Sequence, residues 1–481
     1  MYEPTHENLH RTAKYFMDSG RANSADEALG ILNRFGLYIA VGPEVSSSRD
    51  HQAALFSLVN VARRTFLGGV HVVAAPAAPV LTPLGTANDV RREIVALGGE
   101  NVSRISNPWP VAVIGNASTE DMGVVSWRVT WEGWRGGVVP VKDGRRLSES
   151  WSVGVTPILA AAVCAAEVFM YHSGDHPLSG HRAAGMSLRD PGRDWLDADD
   201  SEAELRYLPS KLWLLGLGNL GQAYLWVLAS LPYRDAGEVE LMLQDHDRLA
   251  ESNESTSVLT VRSAIGAMKT RTMADWLETR GFRVTVEERL FGSWSRRAPH
   301  EAGVVLCGLD NALARASLES ANFGLVVDAG LGAGPNAFRN FSIHTFPGEV
   351  KAKELWGVSP GTTGIDVTDL VAYDTAKYPH LDECGRAQLA SRTVGVPFVG
   401  VTAAVLVVSE ILRRLNGGSA FSVVSGSLSD LDDLQTSTAE KKIYEFGHLS
   451  AAMLGESSRN DWATTLSNPG DVATTSETAT I

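Results

Sequence analysis

The segment KLWLLGLGNLG, residues 211–221, constrains the fold of this 481-residue chain more than any other. An apolar run of strand length meets Gly216, Gly218 and Gly221 and then an apolar stretch with helical spacing, the pattern of a strand, a tight turn and a helix. The alternation continues downstream, predicting a helix from Gln222 to Leu231, a strand from Glu238 to Leu243 and a helix from Ala264 to Thr279. Strands over Arg283 to Glu288 and Val304 to Leu306 follow. Strands separated by helices predict a doubly wound α/β domain, which takes its ligand at the C-terminal ends of its strands.

The first 200 residues repeat this plan in eroded form. LYIAVGPEVSSSRD is a strand and loop, Gln52 to Phe66 a helix, and GVHVVAA a strand. PVAVIGNAS parallels VVLCGLDNA, and SVGVTPILAAAVCAAEVF parallels TVGVPFVGVTAAVLVVSEIL, each apolar helix carrying one glutamate, Glu167 or Glu410. Two tandem Rossmann-like domains are expected: a degenerate copy over 1–200 and a nucleotide-binding copy over 206–420. The acidic linker LRDPGRDWLDADDSEAEL separates them, a C-terminal extension covers 421–456, and a Ser/Thr-rich disordered tail covers 457–481.

Charge narrows the partners. A formal net charge of −14 argues against nucleic acid or an anionic membrane surface. The N-terminus lacks a basic-then-apolar leader, and the longest apolar stretch, Val394 to Leu412, is interrupted by Gly395, Pro397, Gly400, Ser409 and Glu410, so a cytoplasmic location is expected. Cys164, Cys307 and Cys384 are too widely spaced for a CxxC metal pair, and their odd number offers no disulfide framework.

The glycine turn can hold a phosphate or ribose on backbone amides, and Asp245, ending the next strand in ELMLQDHD, is placed to accept ribose hydroxyls. Those features alone do not separate a dinucleotide from ATP. Asp247, the Ser252-Asn253 pair, Lys269 opening a helix and the Asp310-Asn311 pair do, because hydride transfer requires none of them. A lysine neutralises phosphate oxygens, an aspartate holds Mg²⁺, and an asparagine positions a phosphate or ribose.

In this order of motifs the stretch from Leu212 to Leu415 resembles the ubiquitin-activating superfamily, with its ThiF and MoeB-like bacterial members. Its activating enzymes of bacterial ubiquitin-like conjugation systems also pair an inactive with an active half, and that likeness implies a role in antiviral defence. The resemblance implies adenylation of the C-terminal carboxylate of a ubiquitin-like or sulphur-carrier protein with ATP and Mg²⁺, followed by thioester transfer to a cysteine and onward to a conjugating enzyme. Carried onto this chain, it implies that Gly216, Gly218 and Gly221 pack against the nucleotide and Asp245 binds ribose. Asp247, Asn253, Lys269 and Asn311 complete the nucleotide contacts, and Asp310 ligands the metal. The two copies would form an internal pseudo-dimer, with a higher homo-oligomer left open.

One departure stands out. Where the family carries an arginine and a glutamine after the SN pair, this chain has Thr256 and Ser257. Arg262 is one substitute. Arg11 in HENLHRTAKYF is the other, matching the arginine that paired-domain members send from the start of the inactive half. The N-terminal copy keeps only Gly42 of the three glycines, its second strand ends without an acid, and Gly115-Asn116 stands where the other copy has Gly308-Leu309-Asp310-Asn311, so no nucleotide is expected there.

Cys384 lies in the polar, loop-like segment YPHLDECGRAQLASRTVGVP, where the family places its acyl-accepting cysteine. Arg386 and Arg392 are placed to lower its pKa, and Asp382 and Glu383 to raise it. Cys164 and Cys307 read as core residues and His246 as a solvent-facing turn residue. Trp127, Trp131 and Trp134, interleaved with arginines, read as a packed hairpin or interface. Competing readings are adenylation of a peptide or small-molecule carboxylate without a thioester, an NAD-dependent oxidoreductase, and a catalytically dead scaffold.

Overall fold

The computed structural model describes residues 3–118, 125–197, 205–357, 370–440 and 447–451. The first half holds strands β1 (Gly36–Val41), β2 (Gly69–Val73), β3 (Glu100–Val102), β4 (Val111–Ile114), β5 (Ser126–Glu132), β6 (Arg135–Pro140) and β7 (Ala184–Ser187). They form one sheet in the order β3-β2-β1-β4-β5-β6-β7, parallel through β5 and antiparallel beyond.

After β8 (Tyr207–Pro209), the second half supplies β9 (Lys211–Leu215), β10 (Glu240–Gln244), β11 (Arg283–Glu287), β12 (Val304–Cys307), β13 (Leu325–Leu331), β14 (Asn340–Phe346), β15 (Phe421–Ser427) and β16 (Asp430–Thr438). Their order, β11-β10-β9-β12-β13-β14-β15-β16, repeats the first sheet with one further strand. The last element among the described residues is β17 (His448–Ser450), paired to β8. The protein is thus an α/β molecule of two doubly wound units. The central strands β1 and β12 are buried along their whole length, as a parallel strand covered on both faces must be.

Each half carries two helices that meet their counterparts near the pseudo-twofold. Helix Arg49–Arg63 packs on helix Thr156–Ser173, helix Asn219–Ala229 packs on helix Pro397–Leu415, and the two long helices pack on each other. Thr156–Ser173 is long and apolar enough to cross a bilayer, but here it is a core helix, almost all of it buried.

The two glutamates noted in these helices do matching work. Glu167 accepts from Arg182 at 2.7 Å, and Arg182 Nη1 crosses to the Ser429 carbonyl of the other half at 2.7 Å. Glu410 holds Arg413, which crosses in the opposite sense to the Leu188 carbonyl. Burying a carboxylate is costly unless it is paired, so each glutamate needs its arginine, and each arginine ties one half to the other. Trp127, Trp131 and Trp134 are buried at the β5–β6 hairpin.

Several local expectations are corrected. The Ala264 to Thr279 helix is a 3₁₀ turn, Arg262–Ala264, followed by helix Lys269–Glu278, because Gly266 at φ +88° breaks the run. The segment around Cys384 is a helix, Glu383–Ser391, started by the Asp382 carboxylate, which accepts from Gly385 N at 2.7 Å. Residues 421–438 are β15 and β16 of the second sheet, so a boundary at 421 cuts through it.

The first residues, assigned by sequence to the N-terminal copy, lie partly on the second half: Ser252 N donates to the Glu7 carbonyl at 2.7 Å, and Lys14 Nζ donates to Tyr373 OH at 2.5 Å. Part of the acidic linker and the whole 457–481 tail fall outside the described residues.

Candidate nucleotide site

Strand register sets the site. Leu215 pairs with Gln244 on β10 and with Cys307 on β12, so the next residues, Gly216, Asp245 and Gly308, stand level at the C-terminal edge of the sheet. Gly216 has φ +81°, and a Cβ there would come within 2.9 Å of the Gly308 carbonyl oxygen. A Cβ on Gly221 would sit 2.0 Å from the Gly216 carbonyl oxygen. Gly218 is different: a Cβ there meets nothing within 4 Å. Two glycines are thus required by the protein's own packing. The third, capping helix Asn219–Ala229, keeps open the space where backbone amides and the helix dipole favour an anion.

Asp245 closes one side. Its Oδ2 accepts from Leu217 N at 2.6 Å and its Oδ1 from Asp247 N at 2.8 Å, fixing the carboxylate while leaving lone pairs for further donors. Lys269 Nζ donates to Asp247 Oδ2 at 2.8 Å and lies 3.8 Å from Asp245 Oδ2. Partial burial works to raise the Asp247 pKa. The Lys269 hydrogen bond and charge, aided by His246 and Arg392, outweigh it and hold the carboxylate below its ordinary range. His246 points outward, half-exposed.

Asp310 follows the Gly308 loop and is exposed. Arg11 reaches the same place from the N-terminal segment. It donates from Nε to the Thr393 carbonyl at 2.7 Å and from Nη2 to Thr393 Oγ1 at 2.6 Å. Its pKa is pulled down to about 10 by burial and next by the like charge of Arg392, with Asp310 and Asp18 opposing. Arg11 is therefore fastened to the second half at Thr393, near enough to Asp310 to feel its charge.

The structure thus gathers Gly216, Gly218, Gly221, Asp245, Asp247, Lys269, Asp310 and Arg11 at one sheet edge. Two expected contacts are spent locally. The Asn253 carboxamide oxygen accepts from Ala250 N at 2.9 Å, and that of Asn311 caps helix Ala312–Ala316 through Ala314 N at 3.0 Å. An asparagine just before an Ala-Leu-Ala helix start was the signal in the sequence for that second role. Arg262 is committed elsewhere: its side chain is 84% exposed and, among the described residues, its ion pair is with Glu254, at 3.7 Å.

Cys384 is exposed at the second position of its helix, eight residues before Arg392. At the α-helical rise that is roughly 12 Å along the helix from the edge of the site. Arg386, expected beside the thiol, donates instead to the Tyr373 carbonyl at 3.3 Å. Cys164 and Cys307 are buried, and burial pushes both thiols up.

The equivalent place in the first half is filled. The Glu44 carboxylate turns back into the loop after β1 and accepts from Asn116 N at 2.9 Å and from the Asn116 side chain. Arg146 bridges Asn116 to Glu149, donating to Glu149 at 2.8 and 2.7 Å, and His51 lies 3.3 Å from the same carboxylate. A Cβ on Gly42 would sit 2.4 Å from Asn116 N and 2.4 Å from Glu44 Oε2, so nothing is left open.

Comparison with known proteins agrees with two units. A family model described as the BilD C-terminal domain matches residues 208–418, and one described as the BilD N-terminal domain matches 36–188. A protein of Collimonas sp. (strain OK412), named bacterial E1-like protein BilD, is 51% identical over 450 residues, covering 94% of this chain and 98% of that one. Among solved structures, E. coli MccB with ATP is similar at 12% identity over 48% of this chain and 65% of that chain, with a TM-score of 0.32. TcdA (CsdL) is similar at 14% identity over 43% of this chain and 85% of that chain, with a TM-score of 0.28.

Proposed function

The chain belongs to the BilD family of bacterial E1-like proteins, and on that footing we propose that it is a ThiF/MoeB-like adenylyltransferase whose C-terminal half adenylates the C-terminal carboxylate of a ubiquitin-like carrier with ATP. The observation that supports this most is the meeting of an open Gly218 turn, the Asp245–Lys269–Asp247 cluster, Asp310 and Arg11 at one sheet edge.

In the reaction, a carrier carboxylate oxygen attacks the α-phosphorus of ATP. The new C–O–P bond forms as the bond to pyrophosphate breaks, and no proton has to move. Such a step needs alignment and charge neutralisation. Asp245 orients the ribose, the Gly218 turn presents amides to phosphate, and Lys269 and Arg11 offset the negative charge. Lys269 leaves Asp247 for phosphate oxygen, an exchange of one anionic partner for another. Asp310, an exposed carboxylate with hard oxygen donors, fits Mg²⁺, which when bound would supply further neutralisation of the phosphates.

Cys384 is the acyl acceptor in this proposal: its thiolate attacks the adenylated carbonyl, a thioester forms and AMP leaves, before passage to a conjugating enzyme. It is exposed in the first turn of helix Glu383–Ser391, where an adenylated carbonyl can reach the sulfur. A cytoplasmic setting keeps that thiol reduced. The roughly 12 Å helix between Cys384 and Arg392 favours a second reading, in which a peptide carboxylate is adenylated and captured by an amine without Cys384.

ATP–pyrophosphate exchange with candidate carriers tests adenylation. The wild type should exchange, and Asp310→Ala should lower the rate by about 10²–10³-fold. No exchange with any carrier, or an unchanged Asp310→Ala rate, refutes it. Cys384→Ala should keep exchange and lose a carrier adduct that thiols release. Exchange without any thiol-releasable adduct in the wild type, together with undiminished capture by an amine in Cys384→Ala, supports the peptide reading.

A further inference from the structure

Thr256 stands where an arginine is missing, and the structure shows what lies over it. A Cβ on Gly395 would be 3.0 Å from Thr256 Cγ2 and 3.4 Å from Arg11 Cβ, so the segment running into helix Pro397–Leu415 is laid directly on position 256. Arg11 is anchored to the same segment by its two hydrogen bonds to Thr393. Arg392 is the neighbouring residue. It is exposed and, among the described residues, makes no hydrogen bond or ion pair.

The Arg392 charge nevertheless bears on two site residues, lowering the pKa of both Arg11 and Asp247. Two guanidinium groups held near each other repel, and nothing in the surrounding composition obliges them to be there, since the chain as a whole carries a charge of −14. A cation left unpaired beside another cation, at the edge of an anion-binding turn, is accounted for by an anion that binds between them.

We propose that Arg392 is the second guanidinium of the phosphate site and takes the place of the arginine absent at Thr256, gripping the outer phosphates of ATP together with Arg11. The proposal rests on the reading of this half as an ATP site. The assignment to the outer phosphates follows from exposure: Lys269 is largely buried beside Asp245 and Asp247, whereas Arg392 is exposed, next to the Thr393 that holds Arg11.

The test is calorimetric titration of the full chain with ATP and with AMP, in magnesium buffer, for wild type, Arg392→Ala, Arg392→Lys and Arg262→Ala. Loss of a charge-assisted contact predicts ATP binding weakened by about 10- to 100-fold in Arg392→Ala. AMP binding should change less than about twofold, because AMP lacks the outer phosphates. Arg392→Lys should recover part of the affinity, since a point charge replaces a bidentate fork. Arg262→Ala should bind as wild type.

Wild-type ATP affinity in Arg392→Ala overturns the proposal and leaves the ATP site standing. Equal losses of ATP and AMP also overturn it, by showing that Arg392 shapes the pocket instead of gripping phosphate. A wild type that binds no ATP removes the ATP reading and this one with it.

Discussion

The two halves reach the same sheet edge with the same strand order, and one forms a cradle where the other forms a plug. In the second half the acid, Asp245, stands at the end of the neighbouring strand, accepts from Leu217 N, and leaves space over Gly218. In the first, the acid is Glu44, inside the turn itself, and it fills the space with Asn116, Arg146, Glu149 and His51. The two turns thus differ in where the carboxylate stands, beside the turn in one half and inside it in the other, and the space open over Gly218 has no counterpart over Gly42. The filled copy still contributes Arg49, which donates to the Ser230 and Leu231 carbonyls, both at 2.9 Å, and Arg64, which reaches Val258 and Thr260 across the halves.

The comparison breaks first at the glycines. Gly221→Ala drives a Cβ into the Gly216 carbonyl, and we expect a loss of about 3 kcal/mol by denaturant titration together with loss of ATP binding. Gly218→Ala should unfold like wild type and bind ATP about tenfold more weakly, because its Cβ meets only the space reserved for ligand. Equal stability in all three proteins would show that the turn is not packed as described.

The plug supplies the next test. Glu149 is buried at φ +55° between Arg146 and His51, and burial works to raise its pKa while those two partners hold it below the ordinary range. Glu149→Ala leaves both partners uncompensated and should cost about 2 kcal/mol, discounted for the partial exposure of Arg146. Exchange activity should be unchanged. A large loss of activity without loss of stability would make the first half more than a structural partner.

The smallest effect concerns the N-terminal segment that joins both halves. Burial lowers the His10 pKa from 6.5 to about 4, opposed by a hydrogen bond to the Arg64 backbone. The unfolded state binds the extra proton between those values, so the neutral ring's contribution is complete above pH 6.5 and is lost as pH falls towards 4. His10→Gln should remove about one proton from the pH dependence of unfolding in that window. An identical slope in the variant would show that His10 is not buried in the folded state.

Much of this was legible in the chain. Strand, glycine turn and helix follow each other within a dozen residues, so the period and the turn declare themselves locally, and Asp245 and Lys269 are found by counting from them. The helix at Cys384 and the cap at Asn311 carry local signals too, Asp382 and the asparagine itself, which the polar composition around them obscures. Glu44 could not be recognised, because a glutamate in a loop has no reason to fold inward until Asn116 is beside it. The strands β15 and β16 escaped because β15 is only half-buried over most of its length, β16 is largely exposed, and neither has a sustained apolar alternation.

By itself, then, the sequence determined the two units, their parallel sheets and the half that keeps an open turn, since each depends on residues close together in the chain. Only the tertiary structure decided which cations serve that turn. Arg11 and Thr393 are 382 residues apart and Arg262 lies only six from Thr256, yet the distant pair meets at the site and the near arginine points to solvent. Side-chain direction and chain crossing set that outcome, and neither is encoded in spacing along the chain.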